Sequence, residues 1–300
     1  MKDGFLNLLK PPGMSSHDMV GAVRRCLGIK RVGHAGTLDP AAAGVLPVAV
    51  GRAARFVEYL ADCDKSYRAE MLLGFSTDSG DDTGNVTERR DHMEVPEPAE
   101  FERTLRKFTG HIRQVPPNFS AIKLDGKRAC DLARRNVEVD IPARQVEVRG
   151  LSLLEMRKGP CPVLLLDVTC SKGTYIRTLC TDIGKAMGLP SAMGFLLRTR
   201  VGGFRLEDAL TLEELQALGE NALLAPDGFL LSLPRYDLAR ERKHAFCNGL
   251  PTHDRRFEAE TGKLRVYAEG TFLGIGRFDR KEQMVSPVKV YWEKKIDESN

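Results

Sequence analysis

Short apolar runs along the chain predict the strands of a sheet. The runs at 4–9, 45–50 and 65–73 are bounded by proline, glycine or charged residues, and each has the length of a buried strand. Two further runs, at 146–155 and 163–170, have the composition of neighbouring strands. The pattern therefore predicts a sheet whose strands come from more than half of the chain.

Apolar residues with helical spacing separate these runs. Ser15 or Ser16 can cap the first helix, and Gly28 can end it, because glycine readily adopts the left-handed conformation that closes many helices. Pro98 lies where the first turn of a helix accepts proline. The predicted helices run from Ser15 or Ser16 to Leu27, from Pro98 to Phe108, from Lys127 to Arg135 and from Thr174 to Met187. Another helix is predicted after Gly51, with an apolar face of Ala53, Phe56, Val57 and Leu60, and a loop is predicted over 30–40.

The composition of the chain changes near Pro234. A short helix is predicted over Arg240–Phe246, and strands follow it. These strands lie at 264–268, 272–278 and 288–291. We therefore expect two domains, 1–234 and 235–300, of which the second is a small β-rich module.

The overall composition is that of a globular protein without a membrane anchor. The hydrophobic fraction is 42% and the charged fraction is 29%. The most apolar stretch, 41–50, is short and contains Gly44 and Pro47. The apolar run near the N-terminus stops at Pro11 and is too short for a signal peptide. We expect a cytoplasmic protein.

Cysteine and histidine spacing gives no sign of a metal site. The chain has seven cysteines without a CxxC pair, which disfavours both a disulfide framework and a zinc ribbon. The histidines do not show metal-binding spacing either. We expect buried, reduced thiols and no bound metal.

The distribution of charge is more informative than the net charge of +4. Four cations and no acid occur between Val20 and Ala35, whereas acids concentrate at 78–82, 91–102 and 207–220. This segregation suits a basic face that follows a phosphate backbone, and it equally suits a set of solvated helix faces.

The loop Gly33–Pro40, GHAGTLDP, has features of a functional site. Its glycines allow a tight fold or the close approach of a ligand. Pro40 biases Asp39 away from helical angles, which favours an extended carboxylate at the end of the loop. An isolated Asp-Pro pair is more often a simple Asx turn, so the loop alone does not establish a site.

Six ordered blocks, including this loop, resemble the bacterial TruB type of pseudouridine synthase. The blocks are 10–16 (KPPGMSS), 33–40 (GHAGTLDP), 43–47 (AGVLP), 64–67 (DKSY), 170–177 (CSKGTYIR) and 195–198 (FLLR). The order of the blocks is far more specific than any one of them. The resemblance is strong over 4–205 and continues weakly to a tail that is similar to a PUA-like module.

This resemblance implies a catalytic centre of Asp39, Tyr67 and Arg177. Asp39 would act as nucleophile or as base on the sugar, and its ionised form is required for either role. Arg177 would pair bidentately with this carboxylate, and Tyr67 would stack on uracil and move a proton. The reaction exchanges one glycosidic bond for another within a nucleotide, so no cofactor is expected. Without the resemblance, Arg177 would be interpreted as a surface residue and Tyr67 as part of the core.

Five further residues are expected to bind the RNA or to support the loop. The resemblance implies an RNA contact for His34 during extrusion of the base, a pocket wall for Tyr175 and a cover over the base for Leu196. Lys10 and Lys172 are candidates for phosphate contacts or for support of the catalytic loop. Packing roles for Tyr175 and Leu196, and solvated surface lysines, remain open alternatives.

The resemblance implies an α+β fold with a mixed, largely antiparallel sheet, a PUA-like C-terminal module and an RNA-clasping insertion within about 75–145. It implies isomerisation of the uridine at position 55, in the T loop of tRNA, by a monomer without an obligatory protein partner. A guide-dependent enzyme and an RNA-binding or RNA-folding protein are the alternatives. A hydrolase of the same bond is disfavoured because no second carboxylate is evident beside the loop.

Overall fold

The computed structural model describes residues 3–91, 95–117, 119–120, 122–124, 126–129, 132 and 140–291. The strands are β1 (Gly4–Lys10), β2 (Val32–His34), β3 (Ala43–Val50), β4 (Lys65–Leu73), β5 (Phe75–Thr77), β6 (Val86–Arg89), β7 (Gly110–Gln114), β8 (Lys123–Leu124), β9 (Lys127–Arg128), β10 (Arg144–Arg157), β11 (Val163–Cys170), β12 (Ser191–Val201), β13 (Phe204–Arg205), β14 (Arg235–Asp237), β15 (Thr252–His253), β16 (Gly262–Ala268), β17 (Thr271–Asp279) and β18 (Met284–Val290). The α-helices are α1 (Ser16–Leu27), α2 (Val57–Ala61), α3 (Pro98–Lys107), α4 (Ile176–Ala186), α5 (Leu212–Leu218) and α6 (Lys243–Cys247). Short 3-10 helices occupy Gly51–Phe56, Leu206–Asp208, Gly219–Ala222 and Arg240–Arg242.

Within these described residues, nine strands form one large sheet. Seven follow the order β1-β3-β12-β4-β11-β10-β7, while β2 pairs with β3 and β13 with β12. The pairs are antiparallel except for β12 with β3, which is parallel. The sheet is therefore mixed and largely antiparallel, as expected.

Helices cover the sheet through apolar side chains. Phe101 of α3 and Leu179 and Ile183 of α4 are buried in one cluster with Met71 and Leu166 of the central strands. Full burial of each such side chain contributes about 1.5–3 kcal/mol. This packing fixes α4, whose first turn carries Arg177, against the middle of the sheet.

Helix α1 begins as its sequence predicts. Ser15 caps it and forms a capping box with Asp18, and Gly28 closes it with a φ of 65°. Buried Met19 and Val23 pack against β1 and β3. The helix is thereby held beside the strand that follows the Asp39 loop.

A second sheet follows β13 in the chain, with the order β14-β16-β17-β18-β15. It has a buried cluster of its own around Phe246 and Phe278. Aromatic residues also join it to the first sheet, since the ring centroids of Phe56 and Phe272 lie 5.7 Å apart. Among the described helices, none is both long and apolar enough to cross a bilayer.

Several predicted boundaries differ from the structure. The predicted loop over 30–40 contains β2, because residues 32–34 pair with β3. The helix predicted after Gly51 starts as a 3-10 helix before α2. The helix predicted over Lys127–Arg135 is wrong at its first two residues, which pair as β9 with β8. Positions 130, 131 and 133–135 of that prediction lie outside the described residues.

Candidate active site

Asp39 lies at the end of a loop that is fastened at several points. Leu38 donates its N–H to the Ser16 hydroxyl at 2.9 Å, and that hydroxyl donates back to the Leu38 carbonyl at 3.2 Å. Ala35 donates to the Pro47 carbonyl at 3.0 Å. Gly36 turns the chain with a φ of 95°, a conformation that favours glycine. The Asp39 side chain is 47% exposed, so a fixed backbone presents an accessible carboxylate.

Two buried cations hold this loop from beneath. The Lys10 ammonium donates to the carbonyls of Pro11, Met14 and Pro40 at 2.6–3.1 Å. Burial lowers the pKa of Lys10 to about 8, although the nearby Asp39 carboxylate opposes this effect. The second cation is Arg198, which donates to three other carbonyls of the loop and of β3. Support of the loop is thus the role that the contacts of Lys10 indicate.

The Arg177 guanidinium lies between two carboxylates. Its Nη2 atom is 3.2 Å from Oδ2 of Asp39, and its Nη1 atom is 3.5 Å from Oδ2 of Asp81. It also donates to the carbonyls of Ser79 and Phe119. The expected bidentate pair with Asp39 alone is therefore replaced by a bridge. The Arg177 side chain is only 7% exposed and that of Asp81 14%, so this half of the bridge is largely shielded from water, whereas Asp39 stays accessible.

Sequence reasoning missed Asp81, which belongs to an acidic turn 42 positions beyond Asp39. The backbone of this turn is hydrogen-bonded to β12. Met193 donates to the Gly80 carbonyl and Asp82 donates to the Met193 carbonyl, both at 2.9 Å. The hydroxyls of Ser79 and Thr83 donate to Oδ1 of Asp81. These bonds leave Oδ2 facing Arg177.

A cavity of about 170 Å³ opens beside Asp39. Its walls include Leu196 and Met193 of β12 together with Asp81, Asp82 and Glu70. Burial, and then the charges of Asp81 and Glu70, raise the pKa of Asp82. The expectation that no second carboxylate lies beside the loop is therefore wrong. The sheet pairing that brings the acidic turn to β12 has no local signal in the sequence.

Tyr67 lies on β4 between β11 and β12, directly opposite Arg198 in the register of β12. Burial raises the pKa of its phenol above the ordinary value. The positive charge of Arg198 opposes this shift, whereas Cys170 and Asp39 add to it. The phenol is therefore protonated at neutral pH.

His34 ends β2 and is half-buried. Its Nδ1 atom is buried without a hydrogen-bond partner among the described residues. Burial lowers the pKa of the imidazole, the Arg198 charge lowers it further, and a hydrogen bond with the Gly36 backbone opposes the shift. A neutral imidazole is thus favoured at the entrance to the loop.

Tyr175 and Lys172 lie on the turn between β11 and α4. Gln114 holds the Tyr175 backbone through two bonds, donating to its carbonyl at 3.0 Å and accepting its N–H at 2.9 Å. The Arg144 guanidinium covers the Tyr175 ring at 4.8 Å from the centroid and also bonds the Gly173 carbonyl. Lys172 is 64% exposed and pairs with Asp62 at 2.6 Å, so it lies on the surface and not inside the cavity.

Among the described residues, no group of three or more His, Cys, Asp and Glu side chains is placed to hold a metal ion. Of the acidic side chains around Asp39, Asp81 is instead engaged by Arg177 and by hydroxyl groups, and Glu70 pairs with Arg157.

Comparison with known proteins identifies the fold and its chemistry. Residues 24–176 match the N-terminal domain of the TruB family pseudouridylate synthases, and residues 177–227 match the tRNA pseudouridylate synthase B C-terminal domain. The chain belongs to the TruB family. This result confirms the predicted class of enzyme, an isomerase that makes pseudouridine.

Individual relatives agree with this assignment. A protein of Symbiobacterium thermophilum named tRNA pseudouridine synthase B is 51% identical over 78% of this chain and 77% of its own length. Another of that name, from Heliobacterium modesticaldum, is 41% identical over 96% of this chain and 95% of its own length. Among solved structures, the complex of Cbf5 with Nop10 and Gar1 is similar, with a TM-score of 0.76 and 26% identity over 97% of this chain and 85% of that chain. The similarity extends through the second sheet.

Proposed function

We propose that this TruB-family enzyme converts the uridine at position 55, in the T loop of tRNA, into pseudouridine. The observation that carries the proposal is the bridge of Asp39, Arg177 and Asp81 at the mouth of a cavity. The names of its relatives, which specify tRNA as the substrate of those proteins, support the choice of RNA.

Asp39 attacks the nucleotide, as a nucleophile or as a base on the sugar. The N1–C1′ bond breaks, the uracil turns, and a C5–C1′ bond forms. C5 then loses its proton, while N1 gains one, so the product is an isomer of the substrate. Arg177 orients the Asp39 carboxylate, since the planar guanidinium pairs with it at 3.2 Å.

Tyr67 supplies a protonated phenol that feels the charge of this carboxylate. The ring offers a face on which uracil stacks, and the hydroxyl can exchange a proton with the base or the sugar. Leu196, on the wall of the cavity, packs over the base.

The target base must leave the stack of a folded RNA loop to reach the cavity. His34 is suited to replace it, because its half-buried imidazole is flat and uncharged and retains an unpartnered nitrogen. Tyr175, held in place by Gln114 and Arg144, forms a wall for the nucleotide. Recognition would then depend mainly on the shape of the loop and on stacking.

Further RNA contacts surround the cavity. Lys172 is exposed and can reach a phosphate, whereas buried Lys10 supports the loop. We assign the catalytic domain to 1–234 and an RNA-binding module to 235–300, in which the five-stranded sheet lies. Part of 75–145 would clasp the RNA.

The enzyme is proposed to act in the cytoplasm as a monomer, without cofactor, guide RNA or protein partner. The test is to incubate purified protein with an unmodified tRNA transcript and to map pseudouridine at each uridine. We expect modification of position 55 alone. Tight binding without product would instead support an RNA-folding protein or a guide-dependent enzyme.

A further inference from the structure

Arg198 is among the largest fully buried side chains, with 1% of its surface exposed. Burial of a guanidinium costs several kcal/mol unless its donors are satisfied. Among the described residues, however, no carboxylate forms an ion pair with Arg198. Main-chain carbonyls accept its hydrogen bonds instead, which indicates that the role of Arg198 is to hold these backbone segments in place.

The carbonyls bound by Arg198 lie on both sides of Asp39 in the chain. Nε donates to Val45 at 2.7 Å, while Nη1 donates to Thr37 at 3.3 Å and Nη2 to Gly36 at 3.2 Å. One rigid, planar group therefore joins the segment before Asp39 to the strand after it. A flexible ammonium cannot reproduce these directions.

The backbone around Arg198 is packed too closely to allow another arrangement. A Cβ atom at Gly44, whose φ is 116°, would lie 2.2 Å from the Arg198 carbonyl oxygen. This contact is the point where β12 and β3 pair in parallel. The position of the guanidinium beneath the loop is thus fixed by the sheet.

The same arginine lies beside the second reacting side chain. Arg198 is opposite Tyr67 in the pairing of β12 with β4, and the guanidinium and the phenol interact electrostatically. A single buried residue therefore binds the loop that carries Asp39 and neighbours Tyr67 in the sheet. Among the described residues, the bonds of the other loop-holding cation, Lys10, all go to main-chain carbonyls.

We propose that Arg198 is a positioning residue that sets the geometry of Asp39 relative to Tyr67 in the chemical step, without touching the RNA. This inference rests on the proposed function. It assigns to a buried side chain of β12 the role of holding the carboxylate and the phenol in fixed relative positions while the uracil turns in the cavity.

The test compares Arg198→Met and Arg198→Lys with a matched control, Arg200→Met. Arg200 is exposed on the same strand, and its side chain donates, among the described residues, only to the Ser66 hydroxyl. Single-turnover pseudouridine formation is measured with enzyme in excess over tRNA transcript, and Kd for the transcript is measured by filter binding. With saturating enzyme the rate constant reports the chemical step, and the melting temperature of each variant reports its stability.

We expect the rate constant of Arg198→Met to fall by about tenfold to a hundredfold, because small misplacements of reacting groups have effects of this order. The Kd should stay within about twofold, since a buried side chain cannot contact RNA. Arg198→Lys should also be slow, because it keeps the charge and loses the fork of donors. Arg200→Met should keep the wild-type rate constant.

A wild-type rate constant in Arg198→Met, with only the melting temperature lowered, would show a purely structural role and overturn the inference. If Arg198→Met does not fold, Arg198→Lys provides the same test. A wild-type rate constant in Arg198→Lys would show that the bonds of the guanidinium to Gly36, Thr37 and Val45 are not needed for the chemical step. If the wild-type protein itself makes no pseudouridine, the proposed function fails, and the assignment of Arg198 fails with it.

Discussion

Asp81 provides the sharpest test of how the active site is organised. Arg177 is held from two sides, and Asp81→Asn removes the charge on one side while preserving shape. The hydroxyls of Ser79 and Thr83, which now donate to Oδ1, can still donate to the amide oxygen of the variant. The change therefore isolates the electrostatic contact of Asp81 with the guanidinium.

The magnitude follows from the distances. At 3.5 Å and an effective dielectric constant of about 20, two unit charges attract by about 5 kcal/mol. Asp81 is 14% exposed, and Arg177 keeps Asp39 as a partner, so most of this attraction is offset by solvation and by the remaining pair. We expect a barrier raised by about 2 kcal/mol, which is about thirtyfold in rate. The physical reason is that the guanidinium shifts toward Asp39 when its other anchor is lost.

The assay is single-turnover pseudouridine formation with saturating enzyme, together with Kd for the transcript. Asp78→Asn is the matched control, because Asp78 lies in the same turn and its side chain accepts bonds only from Asn85 within the part of the chain that the structure describes. We expect Asp81→Asn to be slow with an unchanged Kd, and Asp78→Asn to match the wild type. Equal rates for the two variants would refute the bridge as an element of catalysis.

Three further predictions test other parts of the site. Tyr67→Phe should slow single-turnover conversion by about a hundredfold or more while Kd is kept, because the ring remains and the proton-bearing hydroxyl is lost; an unchanged rate would exclude a role for the hydroxyl. Lys172→Gln should weaken tRNA binding and lower the slope of log Kd against log salt by about one, with stability within about 1 kcal/mol because its ion pair is exposed; an unchanged slope would contradict a phosphate contact. Between pH 8 and 10.5 unfolded Lys10 carries a proton that the folded state lacks, so its contribution to the free energy of unfolding should rise with pH. The free energy of unfolding of the wild type, measured in urea relative to that of Lys10→Met, should therefore increase by about 1 kcal/mol between pH 7 and pH 9. If this difference between the two proteins stays constant with pH, the Lys10 ammonium titrates normally.

The sequence could indicate the parts of the site that lie within continuous blocks. Asp39 and Arg177 belong to such blocks, and the capping serine and terminal glycine of α1 are local signals that the structure confirms. Asp81 could not be found in this way, because an acidic turn rich in glycine and serine has the composition of a solvated loop. Asp81 comes close to Arg177 because the backbone of its turn pairs with Met193 of β12.

Arg198 illustrates a second limit of sequence reasoning. An arginine in a strand is ordinarily interpreted as facing water, since its burial requires partners for every donor. Those partners are main-chain carbonyls more than 150 positions earlier in the chain. Because every residue has such a carbonyl, the sequence does not reveal which ones bind an arginine. Its burial follows from the parallel pairing of β12 with β3.

The most direct test of the central claim is to compare the wild type with Asp39→Asn on an unmodified tRNA transcript, without added protein, guide RNA or metal. The measurement is pseudouridine at each uridine, with Kd for the transcript as the control for folding. We predict complete conversion at position 55 by the wild type and none by Asp39→Asn, with similar Kd values. Product formed by Asp39→Asn at the wild-type rate would contradict the account of this active site.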